Sequence, residues 1–130
     1  MKRFAHLLAT AAIAVSVPGC IAAAAAAGAG GAVYVTTRGA ESIVQGQPDG
    51  LAPRVRSVLE QHQVTITDTR SENGGDKQTW EGTAGELTVN VTAERESPTT
   101  TKLEVTARKN VADWDKEFAE RVLRDIVERE

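Results

Sequence analysis

Few residues in this 130-residue chain have the type and spacing that chemistry requires. Cys20 is the single cysteine, set between an apolar run and a tract of Ala and Gly in SVPGCIAAAAAAGAGG, residues 16–31. A lone thiol can be a core residue, a reactive or metal-ligating group, or a site of modification. It cannot close an intramolecular disulfide, and CxxC or Cys/His zinc spacing is absent. The histidines are His6 and His62. An imidazole acts as base or ligand only beside partners, and His62 reads as a surface residue near a helix C-terminus. Asp113, Asp115, Glu117 and Glu120 cluster. Paired carboxylates can do acid–base work or hold calcium, but there is no EF-hand spacing, and the negative first turn of a helix accounts for them. Ser42, Ser57, Ser71 and Ser97 lie in no GxSxG elbow, and neither GxGxxG nor a P-loop occurs. Asn90-Val91-Thr92 fits a glycosylation sequon but falls within a strand pattern. Trp80 is a candidate surface contact for sugar or peptide, against which stands simple packing on a sheet. The expectation is a chain without catalytic residues, cofactor or metal.

The elements around Cys20 give it a context. Lys2 and Arg3 are the only charges before Arg38, and Phe4–Val17 is a largely apolar run. A basic start, an apolar run of about 7–15 residues and small residues after it make a secretory signal. The run is shorter than the roughly 20 apolar residues that span a bilayer. Val17-Pro18-Gly19-Cys20 follows directly. This block resembles the lipobox of bacterial lipoproteins, with an aliphatic residue at −3, a small residue at −1 and then Cys; Pro18 at −2 departs from the usual pattern. The resemblance implies cleavage between Gly19 and Cys20 and acylation of Cys20. Two alternatives remain: an uncleaved signal anchor that recruits the Ala/Gly tract, and a buried core cysteine. Acyl chains contribute about 0.8 kcal/mol per buried CH₂, so two or three anchor stably where one does not. Ile21 rather than Asp at the next position favours the outer membrane, by analogy with enteric lipoprotein sorting.

Three segments follow: a signal peptide at residues 1–19, a lipid-anchored tether at 20–32 and one domain at 33–130. In the tether, Ala22–Ala27 favours helix, and Gly28, Gly30 and Gly31 disfavour it by about 1 kcal/mol each relative to Ala. A spacer is expected; small side chains also permit close packing on lipid or on another copy. Formal charge is −3 overall, and removal of Lys2 and Arg3 makes it −5. Mild acidity argues against a nucleic-acid partner.

The domain is expected to be α+β: an antiparallel sheet of four to five strands with two helices on one face. Val33–Thr37 is β-branched and aromatic, and Ala40–Gln45 extends it after Gly39. Leu51, Val55, Val58 and Leu59 mark one helix face over Leu51–Gln61. Pro53 is tolerated in the first turn, which sets the start at Asp49 or Gly50. Val64–Arg70, Lys77–Gly82, Glu86–Glu94 and Thr101–Arg108 read as strands, with the Asn73-Gly74 turn suited to positive φ. Alternation puts Leu87, Val89, Val91 and Ala93, and Leu103, Val105 and Ala107, on the buried face, leaving the other face wet. A last helix over about Asp113–Glu128, capped by Asp113 or Asp115, carries Trp114, Phe118, Val122 and Ile126 on one stripe.

This order of lipobox, Ala/Gly tract, Tyr-containing strand, helix, four strands and helix resembles a family of small bacterial lipoproteins of unknown function. The matching pieces are Gly28–Tyr34, Val58–Ile66, Thr101–Val105 and Ala112–Ile126. The family tends to carry a Gly-rich turn before its last helix, where this chain has Lys109-Asn110-Val111-Ala112-Asp113. The resemblance implies an envelope location and this fold type, and brings no catalytic residues. The expected role is a non-enzymatic, lipid-anchored, periplasm-facing module that meets an envelope protein partner or serves envelope maintenance. A small-ligand or cell-wall-glycan binding module is the alternative.

Overall fold

The computed structural model describes residues 31–129; Gly19, Cys20, the signal segment and most of the tether lie outside the described residues. Six strands and two helices follow in chain order. They are β1 (Tyr34–Val35), β2 (Gly39–Gln45), α1 (Pro48–Gln61), β3 (Thr65–Glu72), β4 (Lys77–Ala84), β5 (Leu87–Arg95), β6 (Thr100–Arg108) and α2 (Lys116–Glu128). The strands form one antiparallel sheet in the order β1-β2-β6-β5-β4-β3.

The sheet has six strands rather than four to five because the first one expected from sequence is two. Thr36 N–H donates to the Gly39 carbonyl at 2.8 Å, and the Thr36 hydroxyl accepts from Gly39 N–H at 3.1 Å. The chain reverses there, and Tyr34 faces Glu41 while Val35 faces Ala40. Gly39 is required by close approach: a Cβ would overlap the Val105 carbonyl oxygen and lie 3.0 Å from Thr106 Cα. The later hairpins are local. Asn73, Gly74 and Gly75 all have positive φ between β3 and β4, and Gly85 has φ +60° between β4 and β5. Between β5 and β6, the Ser97 hydroxyl accepts from Thr100 N–H at 3.1 Å.

Alternation puts Val89, Val91, Ala93, Leu103, Val105 and Ala107 on one face, all buried. Both helices cover that face, α1 over β3, β4 and β5, and α2 over β2 and β6. From α1 come Leu51, Val55, Val58 and Leu59, and from α2 Ala119, Val122, Leu123, Ile126 and Val127. This is a two-layer arrangement in which each element buries its one apolar face.

The helix starts differ from expectation. α1 begins at Pro48, so Pro53 falls in the second turn. Its ring nitrogen removes one backbone donor, and the buried row Leu51–Val55–Leu59 holds the helix across the gap. α2 begins at Lys116 rather than near Asp113, because of the two caps expected it is Asp115 whose carboxylate accepts from Phe118 N–H at 2.9 Å. Residues 113–115 lie ahead of the helix instead, with Trp114 in an isolated β-bridge. Asp115 N–H donates to the Ala107 carbonyl at 2.8 Å and Lys109 N–H to the Asp113 carbonyl at 2.9 Å, so Trp114 pairs with Arg108 rather than joining the α2 stripe.

Filling the Gly39 contact tests this packing. Gly39→Ala is expected to lower stability by about 1–3 kcal/mol, the usual cost of overpacking, because the blocking atoms are backbone. A thermal melt with an unchanged midpoint would contradict the close approach.

Candidate interaction surface

The sheet face away from the helices carries Thr79, Glu81, Thr88, Asn90, Thr92, Lys102, Glu104 and Thr106 in cross-strand register. Water covers such a face at little cost, so its edges are more informative. At one edge β3 presents only Ile66 as a half-buried residue; the rest of the strand is exposed. A bulge between Ile66 and Asp68 bends it, and Asp68, Arg70 and Glu72 line it. Charge and a bulge are how an edge avoids pairing with another chain.

The other edge is different. β1 covers only Ala40 and Glu41 of the seven-residue β2. Tyr34 is 39% exposed, Val35 54% and Ile43 39%, three of the four exposed large hydrophobics among the described residues. They line a groove of about 480 Å³ together with Thr36, Glu41, Ser42, Glu96 and Lys102. The Lys102 ammonium lies 3.3 Å from the Glu41 carboxylate. Hydrogen bonding and attraction to Glu41, with smaller help from Glu104 and Glu96, hold the Lys102 pKa above its ordinary 10.5 against a small desolvation effect. The groove thus joins an apolar wall to an acidic rim with one cation engaged inside it. Gly31 packs against Ile43 and Ser42, so the chain enters the domain beside this groove.

The residues singled out from sequence do not gather here. Trp80 is 0% exposed, inside the core on the helix-facing side of β4; its place as a surface contact is corrected to one in packing. Burying about 150–250 Å² of indole is favourable by roughly 4–6 kcal/mol. That exceeds the approximately 1–3 kcal/mol cost of its Nε1–H, which meets no acceptor among the described residues. His62 is half-buried at the end of α1, and its Nε2 lies 2.6 Å from Asp125 Oδ2 on α2. Its ring stands edge-on to Phe118, 5.9 Å between centroids. Ser57 is not part of a triad with them, since its hydroxyl accepts from Arg129, which also donates to Gln61. His62, Asp125 and Arg129 therefore tie α1 to α2. Of the carboxylates, Asp115 caps α2 and Glu120 pairs with Arg124 one turn on. Among the described residues no three His, Cys, Asp or Glu side chains are placed to hold a metal, and no helix is long and apolar enough to cross a membrane.

Tyr34, Val35 and Ile43 were missed as a group. The available signal was parity: with Ala40 and Val44 turned inward, Ile43 must point to water. Compared with known proteins, the chain matches no family model, no curated protein and no solved structure.

The Glu41–Lys102 pair gives a signed pH dependence. A raised lysine pKa contributes stability that is fully present below 10.5 and is lost as pH rises through the raised value. Glu41→Gln is therefore expected to lower the denaturant midpoint slightly at neutral pH and to flatten its decline above pH 10.5. An equal decline in both proteins would contradict the coupling.

Proposed function

We propose that this chain is a lipid-anchored protein of a bacterial cell envelope, facing the periplasm, that presents its α+β domain to an envelope protein and catalyses nothing. Lys2-Arg3, the apolar run and Val17-Pro18-Gly19-Cys20 support the anchor, and Ile21 favours the outer membrane. The pattern resemblance to small bacterial lipoproteins supports the same location.

The contrast between the two sheet edges carries the interaction. β3 is charged and bulged, whereas the β1 edge exposes Tyr34, Val35 and Ile43, and among the described residues no strand pairs with β1 other than β2. A partner strand added to β1 gains main-chain hydrogen bonds, and the groove takes one or two of its side chains. Glu41, Glu96 and Glu104 favour a partner segment of apolar and basic residues. The groove itself favours a second function, in which a small ligand or glycan fragment stacks on Tyr34 rather than on Trp80. Its volume is within the range of ligand sites.

Cys20→Ser is expected to abolish labelling of the protein by a palmitate analogue in cells. Membrane retention of unlabelled wild-type chain would sink the acyl anchor and revive the signal anchor. A benzophenone amino acid in place of Tyr34 is expected to give one discrete adduct with an envelope protein, and none in place of Thr69 on β3. Adducts from both positions, or from neither, overturn strand addition at β1. A thermal shift with muropeptides that disappears in Tyr34→Ala would instead favour the ligand function.

A further inference from the structure

The end of the sheet where β1 turns into β2 carries a second cluster. Arg38 in that turn and Arg108 at the end of β6 bring their guanidinium carbons to 5.6 and 6.0 Å from the centre of the Trp114 ring. Both arginines are exposed and Trp114 is half-buried. Among the described residues neither guanidinium lies within 4.0 Å of a carboxylate, whereas Arg70, Arg95 and Arg124 each have one. The platform is built by the backbone. Trp114 occupies the lane beside β6 that β2 leaves at Gly39, fixed by the Arg108–Trp114 bridge. The adjoining loop is closed by the Asn110 side chain, which accepts from Ala112 N–H and Asp113 N–H at 3.0 Å each. At its tip stands Val111, 86% exposed, the most exposed large hydrophobic side chain among the described residues, with the exposed Lys109 two positions before it.

We propose that this end of the domain rests on the membrane, with Val111 inserted at the headgroup level, Trp114 lying in the interface, and Arg38 and Arg108 holding the phosphate of an anionic phospholipid. An apolar tip beside an amphipathic ring and unpaired cations is the composition that interfacial contact needs. Guanidinium donors match phosphate oxygens bidentately. Asp113 and Glu117, one and three residues from Trp114 in sequence, temper the charge. Asp115 is engaged in capping α2. Recognition therefore rests on the two arginines and the inserted valine rather than on net charge. The phospholipid surface as occupant rests on the anchored location proposed above. Geometry allows both at once. Cys20 is eleven residues before Gly31, a reach of at most about 36 Å at 3.3 Å per residue. The run from Gly31 to Thr37 covers roughly 20 Å, less than that reach, so an anchor at Cys20 and membrane contact at this end of the sheet are compatible in length.

The test uses the full chain extracted from membranes and reconstituted in vesicles of equimolar phosphatidylcholine and phosphatidylglycerol doped with a nitroxide-headgroup lipid. Wild-type tryptophan emission is expected to be quenched well beyond that of Trp114→Phe, which keeps only buried Trp80. In Arg38→Gln/Arg108→Gln/Val111→Asp, three exposed positions whose replacement should leave the melt unchanged, the Trp114 share is expected to fall about threefold or more. Equal quenching of wild type and Trp114→Phe, or of wild type and the triple variant, overturns the proposal. So does a shift of Trp114 emission by inorganic phosphate alone, in detergent, as large as that given by the vesicles. Palmitate-analogue labelling reads the anchor separately. Label without Trp114 quenching overturns this proposal alone, and quenching without label overturns the acyl anchor alone.

Discussion

Gly39 lies so near the Val105 carbonyl that no side chain fits between β2 and β6, and from there seven residue pairs close in sequence, Gly39 with Thr106 through to Gln45 with Thr100. This seam joins the start of the domain to its last strand. Loop-closure entropy grows only slowly with the length enclosed, so the long excursion through α1 and three hairpin strands costs little more than a short one would. Much else follows from the seam. It places β1 at the edge of the sheet among the described residues and puts Ile43 beside Lys102. Because β2 ends at Gly39, it also vacates the lane that Trp114 then fills next to Arg108.

The two helices lean on opposite halves of the sheet, and something must keep them together. Their apolar sides do this below the surface, where Val58 and Leu59 of α1 and Val122, Leu123 and Ile126 of α2 are all buried. Above that layer, His62 meets Asp125, and Arg129 reaches Ser57 and Gln61. Polar ties of this kind are each worth about 0.5–1.5 kcal/mol and fix the relative position of the helices more than they add to stability. His62 thus does structural work with a residue type that chemistry so often uses.

The architecture was largely legible in the chain. Period-2 alternation in β5 and β6 and period-3.6 spacing in α1 and α2 are strong signals, because a residue on the wrong face would be exposed or buried at a cost of a kcal/mol or more. What escaped was decided by single contacts. The split between β1 and β2 depends on one threonine hydroxyl and on a glycine pressed against a strand far away in sequence. Trp114 fits the α2 stripe by spacing, yet the Asp115 cap and the bridge to Arg108 start the helix beyond it. Trp80 could belong to either face by composition; its register opposite Val91 settles it as core. The site at the β1 edge was harder still, since exposure of Tyr34 and Val35 depends on how little of β2 the short first strand covers. Cys20 stays the one residue whose meaning is carried wholly by its neighbours in sequence.

The asymmetry of the sheet's two margins has a consequence for assembly. A domain with two receptive edges can pass pairing from copy to copy and grow into a fibre. Here the bulged β3, with Asp68, Arg70 and Glu72, is a dead end. A strand received at β1 therefore completes the sheet, and the complex stops at one partner. If the chain is anchored as proposed above, concentrated in two dimensions with neighbours of the same kind always close, that termination would separate recognition from aggregation.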